Sequence, residues 1–134
     1  MAPFLRLPVV TRSDTERARQ EARAMAGNMG FNSADTEAVA LATRELATNL
    51  VRYAVGGRLV LSGFVADGAV GIEIQSQDDG PGIVDLERAM EDGYSTGGGL
   101  GSGLPGVRRL MDEFEIKSGP EGTYVMTRKW RRTQ

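Results

Sequence analysis

Residues 58–82 read RLVLSGFVADGAVGIEIQSQDDGPG, and this segment contains the strongest secondary-structure signal of the chain. Two β-rich runs, residues 58–66 and 69–77, flank the dipeptide Asp67-Gly68. An Asp-Gly pair between alternating apolar runs is a strong signal for a β-hairpin. The sheet face that this hairpin supplies is predicted to carry Leu59, Leu61, Phe64, Ile72 and Ile74. The stretch therefore predicts two antiparallel strands followed by a polar, glycine-containing turn.

Upstream of the hairpin, the sequence predicts two helices. Ser13 is the expected N-cap of a capping box that Glu16 completes three residues later. Apolar and small residues then recur at helical spacing. Asn32 or Ser33 caps a second, longer helix that runs to about Ala54. Small residues in the first helix indicate close packing against a neighbouring element.

The remaining elements lie at the two ends of the chain. Residues 4–10 form an expected edge strand, because an edge tolerates the prolines in and beside this run. Residues 85–91 predict a short helix, and Pro105 stands at the first position of another. Two strands, residues 113–118 and 123–130, close the chain. We expect residues 1–134 to form a single domain, an α+β two-layer sandwich with a mostly antiparallel sheet.

The composition excludes several classes of function. The chain has 134 residues, no cysteine, no histidine and a formal net charge of −2. Disulfides, thiolate nucleophiles, Ser-His-Asp triads and histidine-ligated zinc are therefore excluded. The charge balance gives no footprint for nucleic acid or an anionic membrane. No signal peptide or membrane-length apolar run is present, so we expect a cytoplasmic protein.

Glu45 and Asn49 lie one helical turn apart, on the flank of the apolar stripe of the second predicted helix. A carboxylate can accept a proton, and an amide oxygen beside it can ligate Mg²⁺. Two solvated helix residues would show the same spacing. The pair alone leaves both interpretations open.

Asp78, Gly80 and Gly82 follow the second hairpin strand in the segment Asp-Asp-Gly-Pro-Gly. In a binding site, the carboxylate would accept a hydrogen bond from an exocyclic amine, and the glycines would admit a flat ring. Turn chemistry explains the same residues without a ligand, because Asp, Gly and Pro are the common turn residues. Both interpretations stand at this point.

Glycine is concentrated in one segment of the chain. Seven of the 18 glycines fall at positions 93, 97, 98, 99, 101, 103 and 106. Backbone N–H groups without side chains, ahead of a helix, are suited to binding an anion. A plain flexible loop is the alternative. Gly101 to Gly106 matches the Gly-x-Gly-x-x-Gly fingerprint of dinucleotide sites, but no strand precedes it. The Gly-Lys-Ser/Thr of a Walker loop is absent from the chain.

Taken in order, these features resemble the motifs of the GHKL ATPase/kinase superfamily, whose ATP site is the Bergerat fold. Glu45 and Asn49 resemble its N box, the segment from Asp78 its G1 box, and the glycine-rich loop its G2 box. Gly122-Thr123 resembles its last motif. The segment DGYSTGGGLGSGLPGVRRLMDEFEIKS, residues 92–118, narrows the likeness to bacterial anti-sigma-factor-type serine/threonine kinases. The likeness to the stressosome switch kinases covers residues 13–130.

The resemblance implies a role for each matched residue. Glu45 would take the proton from a Ser or Thr hydroxyl, and Asn49 would hold Mg²⁺. Asp78 would bind the adenine amine of ATP, with Thr123 supporting that contact. Backbone access to the adenine would come from Gly80 and Gly82, and contacts around the phosphates from Thr96, Gly99, Leu100, Gly101, Ser102, Gly103 and Leu104.

The resemblance also implies partners. These kinases phosphorylate STAS-domain proteins of a stressosome-like complex and, once released, activate a downstream PP2C-type phosphatase. The chain departs from many members of the superfamily in one respect, since residues 94–104 contain no Lys or Arg. Mg²⁺, Arg44, Arg108 or a partner's side chain would then face the γ-phosphate. We expect slow turnover for that reason.

Two other functions are compatible with the same motifs. A non-catalytic module could hold ATP and sequester a partner of the anti-sigma pathway. The catalytic half of a histidine kinase would need a histidine donor on another chain, because this chain has none. Glu45 favours the serine/threonine kinase, because a pure binder has no evident use for a carboxylate beside a metal ligand.

Overall fold

Five strands form one antiparallel sheet in the computed structural model, which describes residues 2–53, 56–80, 90 and 103–132. The strands are β1 (Phe4–Val9), β2 (Gly57–Ala66), β3 (Ala69–Asp78), β4 (Glu113–Gly119) and β5 (Gly122–Trp130). Their order across the sheet is β1-β2-β3-β5-β4. The predicted edge strand is confirmed, since β1 pairs with β2 alone.

The described helices are α1 (Arg12–Asn28), α2 (Ser33–Tyr53) and α3 (Leu104–Leu110). Buried apolar side chains from one face of the sheet join those of the helices in a single core. The sheet contributes Leu7, Val9, Leu59, Leu61, Ile72, Ile74 and Val125 to this core. Small side chains let α1 approach α2 closely, since Ala18, Ala22 and Ala26 are fully buried. The predicted α+β architecture is confirmed.

Phe64 does not lie on the predicted face of the sheet. Side chains alternate along a strand, so Leu59 and Leu61 place Phe64 on the opposite face. There its ring covers the backbone of Gly71 and meets the Trp130 ring edge-on, with centroids 4.9 Å apart. The prediction was wrong because Phe64 stands three residues after Leu61, an odd step that changes face.

The start of α1 is also corrected. Thr11, and not Ser13, is the N-cap residue. The third helical residue is Asp14, whose carboxylate accepts hydrogen bonds from the N–H groups of Val10 and Thr11 at 2.9 and 3.0 Å. The sequence offers two overlapping capping boxes, and the shorter acidic side chain completes the one that forms. At α2 the predicted cap is confirmed, since Asn32 Oδ1 accepts the N–H of Asp35.

The central hairpin has the predicted turn. Asp67 and Gly68 both adopt positive φ, 53° and 80°, as a two-residue turn of type I′ requires. The pairing runs from Ala66–Ala69 to Gly57–Asp78. The short helix predicted at residues 85–91 falls outside the described residues, apart from position 90. No described helix is long and apolar enough to cross a membrane.

Candidate functional site

The carboxylate of Asp78 is held by backbone groups where β3 ends. Its Oδ1 atom accepts hydrogen bonds from the N–H of Gly80 at 2.9 Å and of Thr123 at 3.2 Å. Among the described residues, these hydrogen bonds to the half-buried carboxylate both end on Oδ1. An ionised carboxylate has further acceptor capacity, so Oδ2 can receive a ligand's N–H in a fixed orientation.

The contact with Thr123 distinguishes the segment around Asp78, here called the Asp78 corner, from an ordinary turn. A hydrogen bond from Gly80, two residues on, is the local bond that turn chemistry predicts for Asp. Thr123 lies 45 residues away, at the start of β5, and a turn needs no such partner. The Thr123 hydroxyl is itself fixed by the hydroxyl of Ser118 at 2.8 Å. Tertiary structure therefore orients the Asp78 carboxylate.

Two glycines allow the backbones around Asp78 to approach one another. A Cβ added at Gly122 would collide with the carbonyl oxygen of Asp78, and the φ of Gly122 is 138°. A Cβ at Gly57 would collide with the carbonyl oxygen of Gln77 and lie 3.2 Å from Cβ of Asp78. In both collisions the added Cβ would lie under 3.0 Å from the carbonyl oxygen, a distance that real Cβ atoms essentially never show. Glycine at both positions is therefore a condition for the observed placement of Asp78.

Gly57 also connects this corner to α2. A Cβ added at Gly57 would lie 2.7 Å from Cδ2 of Leu50, and Gly56 donates its N–H to the Leu50 carbonyl at 3.2 Å. Asn49 immediately precedes Leu50, so the structure brings the end of α2 and the end of β3 to the same side of the molecule.

Glu45 is buried on α2, with 4% of its surface exposed. It stands beside Leu46, which belongs to the core, and one turn before the half-buried Asn49. The alternative of two solvated helix residues is therefore wrong for Glu45. Burying a carboxylate costs folding free energy unless it has a partner, so glutamates that only face solvent are rarely found this close to a core.

Gly103 and Leu104 begin α3. Gly103 has a φ of 70°, and its carbonyl accepts the N–H of Val107 at 3.1 Å. Leu104 is 8% exposed and packs in the core, so it anchors the helix. The other predicted nucleotide contacts lie outside the described residues: Gly82, Thr96, Gly99, Leu100, Gly101 and Ser102.

The two cation candidates of this chain lie on different helices, α2 and α3. Arg44 is half-buried on α2. Arg108 is exposed on α3.

The described residues contain no group of three or more acidic side chains that could hold a metal ion. A Mg²⁺ ion keeps several waters and takes nucleotide phosphate oxygens, so it needs only one or two protein ligands. The half-buried amide of Asn49 meets that requirement. Gly57 was not among the residues predicted for the site, because only the fold shows which backbones a glycine lies between.

Residues 10–129 match the histidine kinase-like ATPase domain family. The serine/threonine-protein kinase RsbT of Bacillus subtilis is 44% identical over 125 residues, which cover 92% of this chain and 94% of that protein. An anti-sigma F factor of Caldanaerobacter subterraneus subsp. tengcongensis is 28% identical over 95% of this chain and 93% of its own length.

Solved structures show the same fold. The RsbU and RsbW domains of a Mycobacterium tuberculosis protein superpose with a TM-score of 0.67 at 21% identity, covering 98% of this chain. A blue-light activated histidine kinase domain from Erythrobacter litoralis superposes with a TM-score of 0.52 at 21% identity, covering 91%. The chain spans 33% and 64% of the lengths of those two structures.

Proposed function

The chain belongs to the histidine kinase-like ATPase domain family, and we propose that it is a partner-switching protein serine/threonine kinase that uses ATP. The observation that carries the proposal is the Asp78 carboxylate, whose Oδ1 is held by the neighbouring N–H of Gly80 and by the N–H of Thr123, 45 residues away. The 44% identity to a serine/threonine-protein kinase over most of both chains supports the reaction type. A cytoplasmic location is part of the proposal, because the phosphate donor ATP is made there.

Asp78 is the proposed recognition residue for the adenine amine. Its Oδ2 would accept one N–H, and the charge on the acceptor strengthens such a bond to about 1.5–3 kcal/mol. Gly80 and Gly82 would leave the backbone open to the ring, and Thr123 keeps the carboxylate in place. The described residues that would stand nearest the phosphates are Gly103 and Leu104.

Glu45 is the proposed general base. Phosphoryl transfer depends chiefly on positioning and on stabilising charge, so no protein nucleophile is needed. Glu45 would accept the proton of the substrate's Ser or Thr hydroxyl, whose oxygen then bonds to the transferred phosphorus while ADP leaves. Asn49 would ligate Mg²⁺ through its amide oxygen. When bound, Mg²⁺ supplies positive charge that offsets the charge of the phosphates.

STAS-domain proteins are the proposed substrates, and a PP2C-type phosphatase is the proposed target of the released kinase. The names of the relatives support a switch between partner proteins, since one is RsbT, another is an anti-sigma factor, and one solved structure contains RsbU and RsbW domains.

The test is transfer of labelled phosphate from Mg-ATP to a panel of purified STAS-domain proteins from the same organism. Glu45→Gln should lower the transfer rate by about 10²–10⁴-fold and leave the Kd for ATP within about threefold, because only proton transfer is lost. Asp78→Asn should raise the Kd for ATP by about 10- to 100-fold, because the amide is a weaker acceptor.

Each variant has a matched control on the same element or beside it. Glu37→Gln changes an exposed carboxylate of α2, and Asp79→Asn changes the exposed neighbour of Asp78. Both controls should behave as the native protein. If the native chain binds ATP but phosphorylates no member of the panel, the chain is the alternative, a non-catalytic ATP-binding module that sequesters its partner.

A further inference from the structure

Lys129 is a buried charged residue outside the proposed site. It lies on β5 with 7% of its side chain exposed, on the face of the sheet that carries the core. Its ammonium group donates a hydrogen bond to the carbonyl of Leu110 at 2.7 Å. Leu110 is the last residue of α3, so this bond satisfies one of the carbonyls that a helix end leaves without a partner.

The Lys129 charge is balanced by one carboxylate from α2 and one from the segment between α3 and β4. Nζ lies 3.7 Å from Oδ1 of Asp35 and 3.8 Å from Oδ1 of Asp112. Asp35 is also paired with Arg132, whose Nε lies 2.9 Å from Oδ2. Asp112 accepts the backbone N–H of Trp130 at 2.8 Å. Two acidic and two basic side chains therefore lie together, and we call them the Lys129 cluster: Asp35, Asp112, Lys129 and Arg132.

The Lys129 cluster joins the two helices that carry proposed site residues. Asp35 stands in the first turn of α2, and Leu110 stands at the end of α3. At 1.5 Å of rise per residue, Glu45 lies about 15 Å along α2 from Asp35, and Leu104 about 9 Å along α3 from Leu110. A shift of α3 at the Lys129 end is therefore carried to Gly103 and Leu104.

The seven-residue helix α3 depends on its surroundings for its position. A helix this short is not stable by itself in water, so tertiary contacts must hold it. Apolar packing of Leu104 and Val107 fixes its depth in the core. Apolar contacts are non-directional, whereas the bond from Lys129 has a defined donor and acceptor. Among the described residues, Lys129 thus provides a directional side-chain contact to the last carbonyl of α3, beside the backbone hydrogen bond that the N–H of Asp112 donates to the carbonyl of Arg128 at 2.9 Å.

We propose that Lys129 is a positioning residue for nucleotide binding: by holding the end of α3 against the first turn of α2, it sets the backbone of Gly103 and Leu104 relative to Glu45 and Asn49. This inference rests on the proposed function, which assigns those residues to the nucleotide. Lys129 acts through α3 and does not contact the ligand.

The test compares Lys129→Met with Lys117→Met in the full chain. These are the two lysines of the sequence, and the Lys117 side chain is 76% exposed on β4. Methionine keeps most of the volume of lysine but neither donates nor carries charge. Lys129→Met should raise the KM for Mg-ATP about tenfold and change kcat at saturating ATP by less than threefold, since bound nucleotide restores the position of α3. Lys117→Met should change neither constant.

A second measurement separates positioning from loss of stability. Amide hydrogen exchange without nucleotide should accelerate at Val107 and Met111, whose N–H groups bond within α3 or at its end, and stay native in β2 and β3. If Lys129→Met fails to fold, the double variant Asp35→Asn/Lys129→Met replaces it, because it removes one negative charge together with the positive one.

The outcomes are distinguishable. A native protein that binds no Mg-ATP removes the proposed function and this inference with it. A native protein that binds ATP, together with a folded Lys129→Met whose KM for Mg-ATP is native, overturns the inference alone and leaves the proposed function intact; where no substrate is phosphorylated, a native Kd for Mg-ATP overturns it in the same way. Uniformly faster exchange across the sheet and helices, with native KM, assigns Lys129 to stability only.

Discussion

The two ends of the β2–β3 hairpin both contain glycine, for different physical reasons. At the turn, Gly68 has a φ of 80°, and an added Cβ would have nothing within 4 Å. At the other end, Gly57 has atoms of Gln77, Leu50 and Asp78 where a Cβ would stand. The turn needs a backbone conformation, and the Asp78 corner needs space. The lack of space at Gly57 comes from neighbours packed against it. The Asp78 end of the hairpin is therefore the end at which segments distant in sequence meet.

The largest expected effect comes from Gly122→Ala, which would disrupt the packing of backbone around Asp78. The new Cβ collides with the carbonyl of Asp78, and alanine is strained at a φ of 138°. We expect unfolding to become easier by about 3 kcal/mol and ATP binding to weaken at least tenfold, because Thr123 can no longer reach Asp78. Chemical denaturation and calorimetry of ATP binding measure the two effects.

The matched control is Gly119→Ala, because Gly119 pairs with Gly122 between β4 and β5 and has nothing within 4 Å of an added Cβ. Its stability should stay within about 0.5 kcal/mol of the native value. Equal losses for the two variants would contradict the assignment of Gly122 to the Asp78 corner.

Gly57→Ala should have the next largest effect. The Cβ meets backbone of Gln77 on one side and a flexible Leu50 methyl on the other, so part of the overlap can relax. We expect a loss of about 2 kcal/mol in unfolding free energy and ATP binding weakened about threefold to tenfold. An ATP affinity equal to that of the native protein would remove Gly57 from the site.

Gly68→Ala tests the other end of the β2–β3 hairpin, where the turn has room for a side chain. The substitution places alanine in the left-handed region, which costs about 1 kcal/mol, but it collides with nothing. The thermal midpoint should fall by a few degrees, and the Kd for ATP should stay native. A change in the Kd for ATP would show that the two ends of the hairpin are coupled.

The smallest expected effect is at the exposed start of α1. Hydrogen bonds from the backbone N–H groups of Thr11 and Val10 lower the pKa of Asp14 below its ordinary value of 3.8. A lowered pKa contributes stability above the unfolded value, and this contribution is lost as the pH falls through the folded value. Asp14→Asn should therefore lower the thermal midpoint slightly at pH 7, and the difference from the native protein should shrink as the pH falls below 3.8. A difference that persists in acid would contradict this origin.

Sequence pattern predicted the fold well where the signal is local. The Asp67-Gly68 turn, the Asn32 cap and the edge position of β1 are all confirmed. Phe64 and the start of α1 were wrong, because an odd step along a strand changes the face and two overlapping capping boxes compete. The roles predicted for Glu45, Asn49 and Asp78 remain predictions, and the single domain of residues 1–134 does too.

The order of motifs, the family resemblance and the residues that carry it could all be read from the amino-acid sequence. These follow from side-chain chemistry at fixed spacing, which a linear chain displays directly. Three contacts could be found only in the folded molecule: the hydrogen bond from Thr123 to Asp78, the lack of room for a Cβ at Gly57 and Gly122, and the bridge that Lys129 makes between α2 and α3. Each of these contacts joins segments that are far apart in sequence, and their distance and direction exist only once the core has brought those segments together.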